Sequence, residues 1–218
     1  MTWNWTFAWH VLPTLLQGLV VTVEATIAGM LLALLIGLCW AGMLLSGRPM
    51  LVWPARAIVE FIRNTPLLIQ LFFIYYVLPQ FHVEMSALLT GMIALGINYS
   101  AYTAEVYRAG FQSVPRGQRD AAVALNLPPH RAYFDVILPQ AIIPMIPALG
   151  NNLVAMFKDT PLLSTITVGE MMQKALVIGD NTFRYLEPMT MVGVLFLVVS
   201  LISSYGISRC ERLTRRRS

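Results

Sequence analysis

The chain has 218 residues, of which 57% are hydrophobic and 12% charged, with a net charge of +4. Soluble domains carry roughly 25% charged residues, so this composition excludes an ordinary soluble domain and points to a membrane protein. Two cysteines, Cys39 and Cys210, fall at opposite ends of the apolar runs and exclude a disulfide framework.

A spanning helix needs about 20 mostly apolar residues. Five runs meet that length, at roughly 12–45, 55–79, 86–108, 136–157 and 186–208. The first is long enough to tilt or to project beyond the bilayer. No signal-peptide pattern precedes it, since residues 1–10 carry no Lys or Arg. Gly18, Gly29, Gly37, Gly42, Thr22 and Thr26 punctuate this run, and small residues let membrane helices approach closely. Glu24 lies inside it, and an intramembrane carboxylate is a functional candidate by default.

In the second run, Pro66 disfavours helical geometry at Thr65, so the helix bends or restarts there. Asn64 and Thr65 are suited to cap the new start. Pro79 ends the run, and His82 and Glu84 follow in a short turn. The third run carries Asn98, Tyr99, Ser100, Tyr102 and Thr103. Polar groups at that depth need neighbouring helices or a wet cavity. Glu105 and Arg108 are three apart and can pair on one helix face.

Residues 109–135 form a polar loop. Pro115 suits a first helical turn, and Gln118 to Leu125 reads as a short helix kept slim by Ala121, Ala122 and Ala124. Asn126 can end it in a left-handed conformation, and Pro128 and Pro129 enforce a turn. The fourth run holds Pro139, Pro144 and Pro147, which predict kinks or a broken helix. It ends at Lys158-Asp159-Thr160-Pro161. Residues 161–187 read as an external re-entrant or interfacial segment, with Glu170 to Ile178 a brief amphipathic helix. The fifth run, Pro188 to Ser208, is free of charge.

Lys and Arg counts orient the chain. Arg48, Arg56, Arg63, Arg108, Arg116, Arg119, Arg131, Arg209, Arg212, Arg215, Arg216 and Arg217 lie on one side, and Lys158, Lys174 and Arg184 on the other. Twelve against three makes the first side cytoplasmic. Five spans then put the N terminus outside and the C terminus in the cytoplasm. The Arg215-Arg216-Arg217 tail is expected to anchor at anionic headgroups. The positive charge therefore reports topology, not nucleic-acid binding.

No phosphate-binding Gly-Lys loop, metal-ligand spacing or nucleophile elbow occurs in the sequence. The chain is not expected to be an enzyme, and no metal or cofactor is expected in it.

Asp120-Ala-Ala, three residues, Asn126, nine residues, Val136, one residue, Leu138-Pro139 keeps the spacing of a known pattern. It resembles the EAA loop of ATP-binding-cassette (ABC) importer permeases, with Asp for Glu, Asn for Gly and Val for Ile. Glu60 to Tyr76, Ala101 to Gln118, Ile137 to Ala141 and Met156 to Thr160 are similar to bacterial polar amino-acid uptake permeases. Within that family, Lys158 to Thr167 and Arg184 to Met189 resemble ectoine and hydroxyectoine permeases.

The resemblance implies an all-α inner-membrane protein of type I importer architecture. Five transmembrane helices in a single permease domain, residues 1–218, carry a cytoplasmic coupling loop at about 109–135. It implies as partners a pair of cytoplasmic ATP-binding subunits, a second permease of the same or related sequence, and a periplasmic solute-binding protein. ATP and Mg would belong to the ATPase. The coupling helix would dock in a cleft on that ATPase through Arg116, Gly117, Asp120, Ala121, Ala122 and Asn126.

For the substrate path, spans three and four supply Asn98, Tyr99, Tyr102, Asn152, Met156, Lys158, Asp159 and Thr160. A zwitterion needs a cation for its carboxylate and an anion or aromatic face for its positive end. Lys158 and Asp159 are expected to supply the two signs. The rival reading is an ion-coupled transporter or channel, for which Glu24, Glu105 and a broken fourth span would suffice. Such proteins usually show internal repeats, and no repeat is evident here.

Overall fold

A computed structural model describes residues 2–215. Arg216 and Arg217, and the side chains of Cys210, Arg212 and Arg215, lie outside the described part, and with them the expected tail anchor.

The first helix, α1 (Trp5–Leu45), begins earlier than the apolar run alone indicates. Asn4 caps it, its Oδ1 accepting from the Phe7 N–H at 3.1 Å. At about 1.5 Å per residue its 41 residues span roughly 60 Å, twice a hydrocarbon core of about 30 Å. Residues spaced three and four apart bury one stripe: Leu15, Gly18, Thr22, Ala25, Gly29, Ala33, Gly37 and Ala41. Most are small, so α1 lies close against α4 (Ala87–Ser113). A Cβ on Gly37 would stand 2.9 Å from the Ser100 carbonyl oxygen. Gly42 takes no part in this packing, as nothing lies within 4 Å of a Cβ placed there. Glu24 points away from the stripe and is exposed.

The second run is not one continuous span. Helix α2 (Pro49–Asn64) stops at Thr65, and α3 (Leu67–Phe72) restarts after Pro66, the two bent by 103°. A π-helical turn (Phe73–Val77) and a 3₁₀ turn (Leu78–Phe81) complete the arm. Asn64 and Thr65 do not cap the restart. Their side chains donate back to the carbonyls of Glu60 and Phe61 at 2.8 and 2.7 Å, finishing α2 instead.

Past the loop helix α5 (Arg116–Ala124), one turn of helix α6 (Pro129–Arg131) and a π-helical segment (Ala132–Ile137) lead into α7 (Leu138–Asp159). The expected break in this span does not occur. Pro139 directly follows the π-helical segment, and the chain remains α-helical through Pro144 and Pro147. The irregularity is moved to the π-helical segment before it.

Residues 160–187 fold as a 3₁₀ turn (Thr160–Ile166) and helix α8 (Met171–Thr182), joined to the closing helix α9 (Leu186–Arg215). This segment is not merely interfacial. Leu163, Ile166, Met171 and Ala175 are fully buried. The Met171 N–H donates to Thr22 Oγ1 of α1 at 3.2 Å. Buried Glu170 caps α8, accepting from the Met172 and Gln173 N–H groups at 2.8 and 2.7 Å. Burial raises its pKa to about 7 despite those donors. Across the start of the chain, Glu187 pairs with Arg184 and accepts from the Asn4 N–H at 3.0 Å, while Arg184 Nη2 donates to the Thr2 carbonyl at 3.1 Å.

Among the described residues, three helices are long and apolar enough to cross a membrane, in α1, α6–α7 and α9, with a fourth if the bent α2–α3 pair counts as one span. Helix α4 falls outside that set because Asn98, Ser100 and Thr103 dilute its apolar character, yet these residues are buried against the other helices.

A Cβ on Gly18 would lie 2.7 Å from the Met171 Cα, a backbone atom that cannot step aside. Gly18→Val is therefore expected to cost about 1–3 kcal/mol by overpacking and to lower the melting temperature in detergent. Gly193→Ala, whose Cβ meets nothing within 4 Å, should leave it unchanged. A Glu170 pKa raised above its unfolded value means that the folded state holds the proton more tightly. Stability should then be greatest below about pH 4.5 as far as this group is concerned, and fall as pH rises through about 7. Thermal melts of Glu170→Gln across that range are expected to lose this slope.

Candidate functional site

The Thr65–Pro66 break opens a hollow beside α4. A cavity of about 400 Å³ is lined there by Arg63, Asn64, Thr65, Pro66, Leu67, Asn98, Tyr102, Asp159 and Leu162. Five parts of the chain meet at it: the end of α2, the start of α3, the middle of α4, the end of α7 and the 3₁₀ turn that follows it.

Its polar wall is built by few bonds. Tyr99 on α4 donates its hydroxyl to Asp159 Oδ2 at 2.7 Å. The Tyr99 and Tyr102 rings lie 5.8 Å apart. The Arg63 guanidinium lies over the Tyr102 ring at 5.7 Å, a cation–π arrangement. Asn98 Nδ2 donates to Gln70 Oε1 at 3.3 Å, and Gln70 Nε2 donates to the Ile62 and Thr65 carbonyls at 2.8 and 3.0 Å. Arg63 makes no ion pair with a described residue, and Asp159 receives only the Tyr99 hydroxyl. The hollow thus offers one guanidinium, one carboxylate, an aromatic face and an amide. This set suits a small molecule that carries both signs of charge.

The expected path residues divide. Asn98, Tyr102 and Asp159 line the hollow, and Tyr99 orients Asp159. Lys158 does not join them. It faces α9, in a separate hollow with Phe196, Ser200 and Ser204. Adjacent residues on an α-helix point about 100° apart, so Lys158 and Asp159 present their charges to different sides. The cation beside Asp159 is Arg63, which the sequence presents only as one more topological charge. Met156 is fully buried in the core beside Gly29. Thr160 is also buried, with its hydroxyl on the Phe157 carbonyl at 2.7 Å. Asn152 is half-buried, and its Nδ2 has no partner. Gln70 had no signal in the sequence beyond being an amide four residues after a proline.

The loop is well ordered by its own bonds. Helix α5 ends in a Schellman motif. The Leu127 N–H reaches the Ala122 carbonyl at 3.0 Å, and the Asn126 N–H the Val123 carbonyl at 2.9 Å. Asn126 takes φ +50°, the left-handed state expected of it. Arg116, Gly117, Asp120, Ala121 and Asn126 are exposed. Ala122 is not available to an outside partner: it is 3% exposed and faces inward, while α5 packs on the 132–137 segment. Val123 and Leu125 stand out instead, 78% and 73% exposed. A Cβ on Gly117 would meet nothing within 4 Å, so packing within this chain does not demand glycine there.

A family model described as "Binding-protein-dependent transport system inner membrane component" matches residues 29–216. A probable amino-acid ABC transporter permease protein, y4tG, of Sinorhizobium fredii is 50% identical, covering 91% of this chain and 86% of its own. The glutamate/aspartate import permease protein GltK of Escherichia coli is 32% identical, covering 97% and 98%. In the crystal structure of an amino acid ABC transporter with histidines, one chain superposes with a TM-score of 0.92 at 37% identity, covering 97% of this chain and 99% of that one. A chain of the inward-facing MetNI methionine ABC transporter, at TM-score 0.80 and 20% identity, shares the fold. This chain therefore belongs to the family of inner-membrane components of binding-protein-dependent transport systems.

Proposed function

We propose that this chain is the permease subunit of an ATP-driven importer for polar amino acids or related zwitterions, including compatible solutes such as ectoine. The observation that carries the substrate class is that Arg63, Tyr102 and Asp159 line one hollow, with the Arg63 guanidinium over the Tyr102 ring. A guanidinium recognises a carboxylate by paired hydrogen bonds. Asp159 and the aromatic rings receive the positive end. Relatives that move arginine, cystine, glutamate or aspartate, and glutamine support a zwitterionic cargo without fixing its side chain.

In this reading the chain crosses the bilayer five times, with α4 as the enclosed span and the α2–α3 arm bent within the membrane. The α5 side and the C terminus face the cytoplasm, and the N terminus faces out. A separate pair of ATPase subunits supplies the energy, a second permease completes the path, and a solute-binding protein delivers the cargo. Helix α5 docks on the ATPase through Arg116, Gly117, Asp120, Ala121 and Asn126, joined by Val123 and Leu125. Ala122 acts from inside, letting α5 sit close on the π-helical segment that leads into α7. Movement of α5 is thereby passed to the helix that carries Asp159.

The test is uptake into proteoliposomes containing the assembled transporter, its binding protein and internal ATP, with ectoine competed against a panel of amino acids. Loss of ATP dependence would sink the importer reading, and uptake of basic or acidic amino acids alone would remove ectoine. Arg63→Gln should raise KM for a zwitterion at least about tenfold, the worth of one charge-assisted hydrogen bond, while basal ATP hydrolysis continues. An unchanged KM would remove Arg63 from the path. Val123→Asp places a charge on the exposed docking face without disturbing the buried Ala122. It is expected to abolish ATP-driven uptake while the permease still inserts and melts normally, and normal uptake by that variant would remove this face from the coupling.

A further inference from the structure

A second hollow, of about 440 Å³, lies between the last turns of α1 and the segment that follows the loop. Leu38 and Leu45 of α1 form one wall, and Tyr133 and Ile137 of the π-helical segment the other. Gly42 also lines it, and a Cβ there would meet nothing within 4 Å. No carboxylate lines the hollow, and its one charged side chain is Arg119 of α5. Arg119 Nη2 donates to the Phe111 carbonyl at 3.2 Å. A guanidinium has five N–H donors in all, and Arg119 makes no ion pair with a described residue.

The layout is that of an amphiphile. Leu38 to Leu45 advances about 10 Å along α1, comparable with one leaflet of a core about 30 Å thick. The apolar wall follows that depth, and the cation stands at the end where α1 stops and the loop begins. Arginines crowd the same side of the chain, at Arg48, Arg108, Arg116 and Arg131, and attract anionic lipid.

We propose that this groove holds one acyl chain of an anionic phospholipid, with Arg119 bound to its phosphate. Such a lipid bridges α1 and the coupling helix at the membrane surface. A transmembrane helix of a second permease would lie along the same wall but would bring no phosphate to Arg119. The proposal rests on the membrane reading above and on the α5 side facing the cytoplasmic leaflet.

Native mass spectrometry of the detergent-solubilised permease pair tests it. The pair is titrated with phosphatidylglycerol and with phosphatidylcholine of the same chain length. Wild type is expected to prefer phosphatidylglycerol roughly fivefold, the effect of one arginine near a charged headgroup. Arg119→Gln should lose that preference. Gly42→Leu, which fills part of the hollow, should weaken both lipids. The proposal is overturned if either variant binds lipid as wild type does. It is also overturned if dihexanoyl phosphatidylglycerol binds as tightly as the long-chain lipid, or if Gly42→Leu separates the two permeases while lipid retention stays unchanged. Detergent erases sidedness, so a wrong orientation would leave these results as they are. A failure here would likewise leave the transport reading intact.

Discussion

The constraint on which the site depends is the satisfaction of backbone polar groups where water is scarce. Pro66 removes one N–H and the chain bends by 103° there, leaving the Ile62 carbonyl with only a long 3.4 Å bond from the Thr65 N–H and the Thr65 carbonyl without a helical partner. In a membrane such groups cost several kcal/mol each if unpaired. Gln70 answers both with one amide nitrogen, and its oxygen accepts from Asn98. The break is thereby tied to the middle of α4. Arg63, the residue just before the break, is carried to the mouth of a hollow that α4 and α7 close from the other side. A straight second span would have left Arg63 on a helix flank and no hollow for it to line.

The rest of the frame serves to hold α4 and α7 in register. The small-residue stripe of α1 brings it close along α4. Dispersion contacts and short interhelical approach take the place of a hydrophobic drive that lipid does not provide. The 160–187 segment folds back against α1 at Gly18 and Thr22, which fixes the end of α7 and so the position of Asp159. The Tyr99–Asp159 bond then joins α7 to α4 at the site itself.

Features set by a single residue's backbone preference were legible in the sequence. Pro66 announced the bend, Asn126 the left-handed cap, and the glycines of the first run its close face. Features set by which face a residue occupies were not. Lys158 and Asp159 are neighbours in sequence, as are Ala121 and Ala122, and each pair reads as a unit. A helix turns about 100° between neighbours, so one member of each pair faces the site or solvent and the other faces elsewhere. The meeting of Arg63, Tyr102 and Asp159 in one hollow spans about 40 to 100 residues of sequence and leaves no local trace. The prolines of α7 misled because a helix can stay continuous past a proline when the turn before it is wider. The helical run starts early, at Pro129, and its irregularity lies in the π-helical segment just before Leu138 and Pro139.

That π-helical segment also bears on how the loop and the hollow communicate. A π turn has one residue more per hydrogen-bonded ring than an α turn and is often found at functional sites. Here it lies between α5, which packs on it, and α7, which carries Asp159 at its far end. Ala122 is the buried residue of α5, and the Phe111 and Tyr133 rings stack at 5.6 Å beside the π-helical segment. On the coupling proposed above, a push on α5 would meet a segment whose hydrogen-bond register is already irregular. Register would shift there without first breaking an ideal helix, and the α-helical remainder of α7 would carry the displacement toward Asp159. The prolines within α7 are compatible with that role, because the helix continues through them and neither one interrupts the lever between the loop and the hollow.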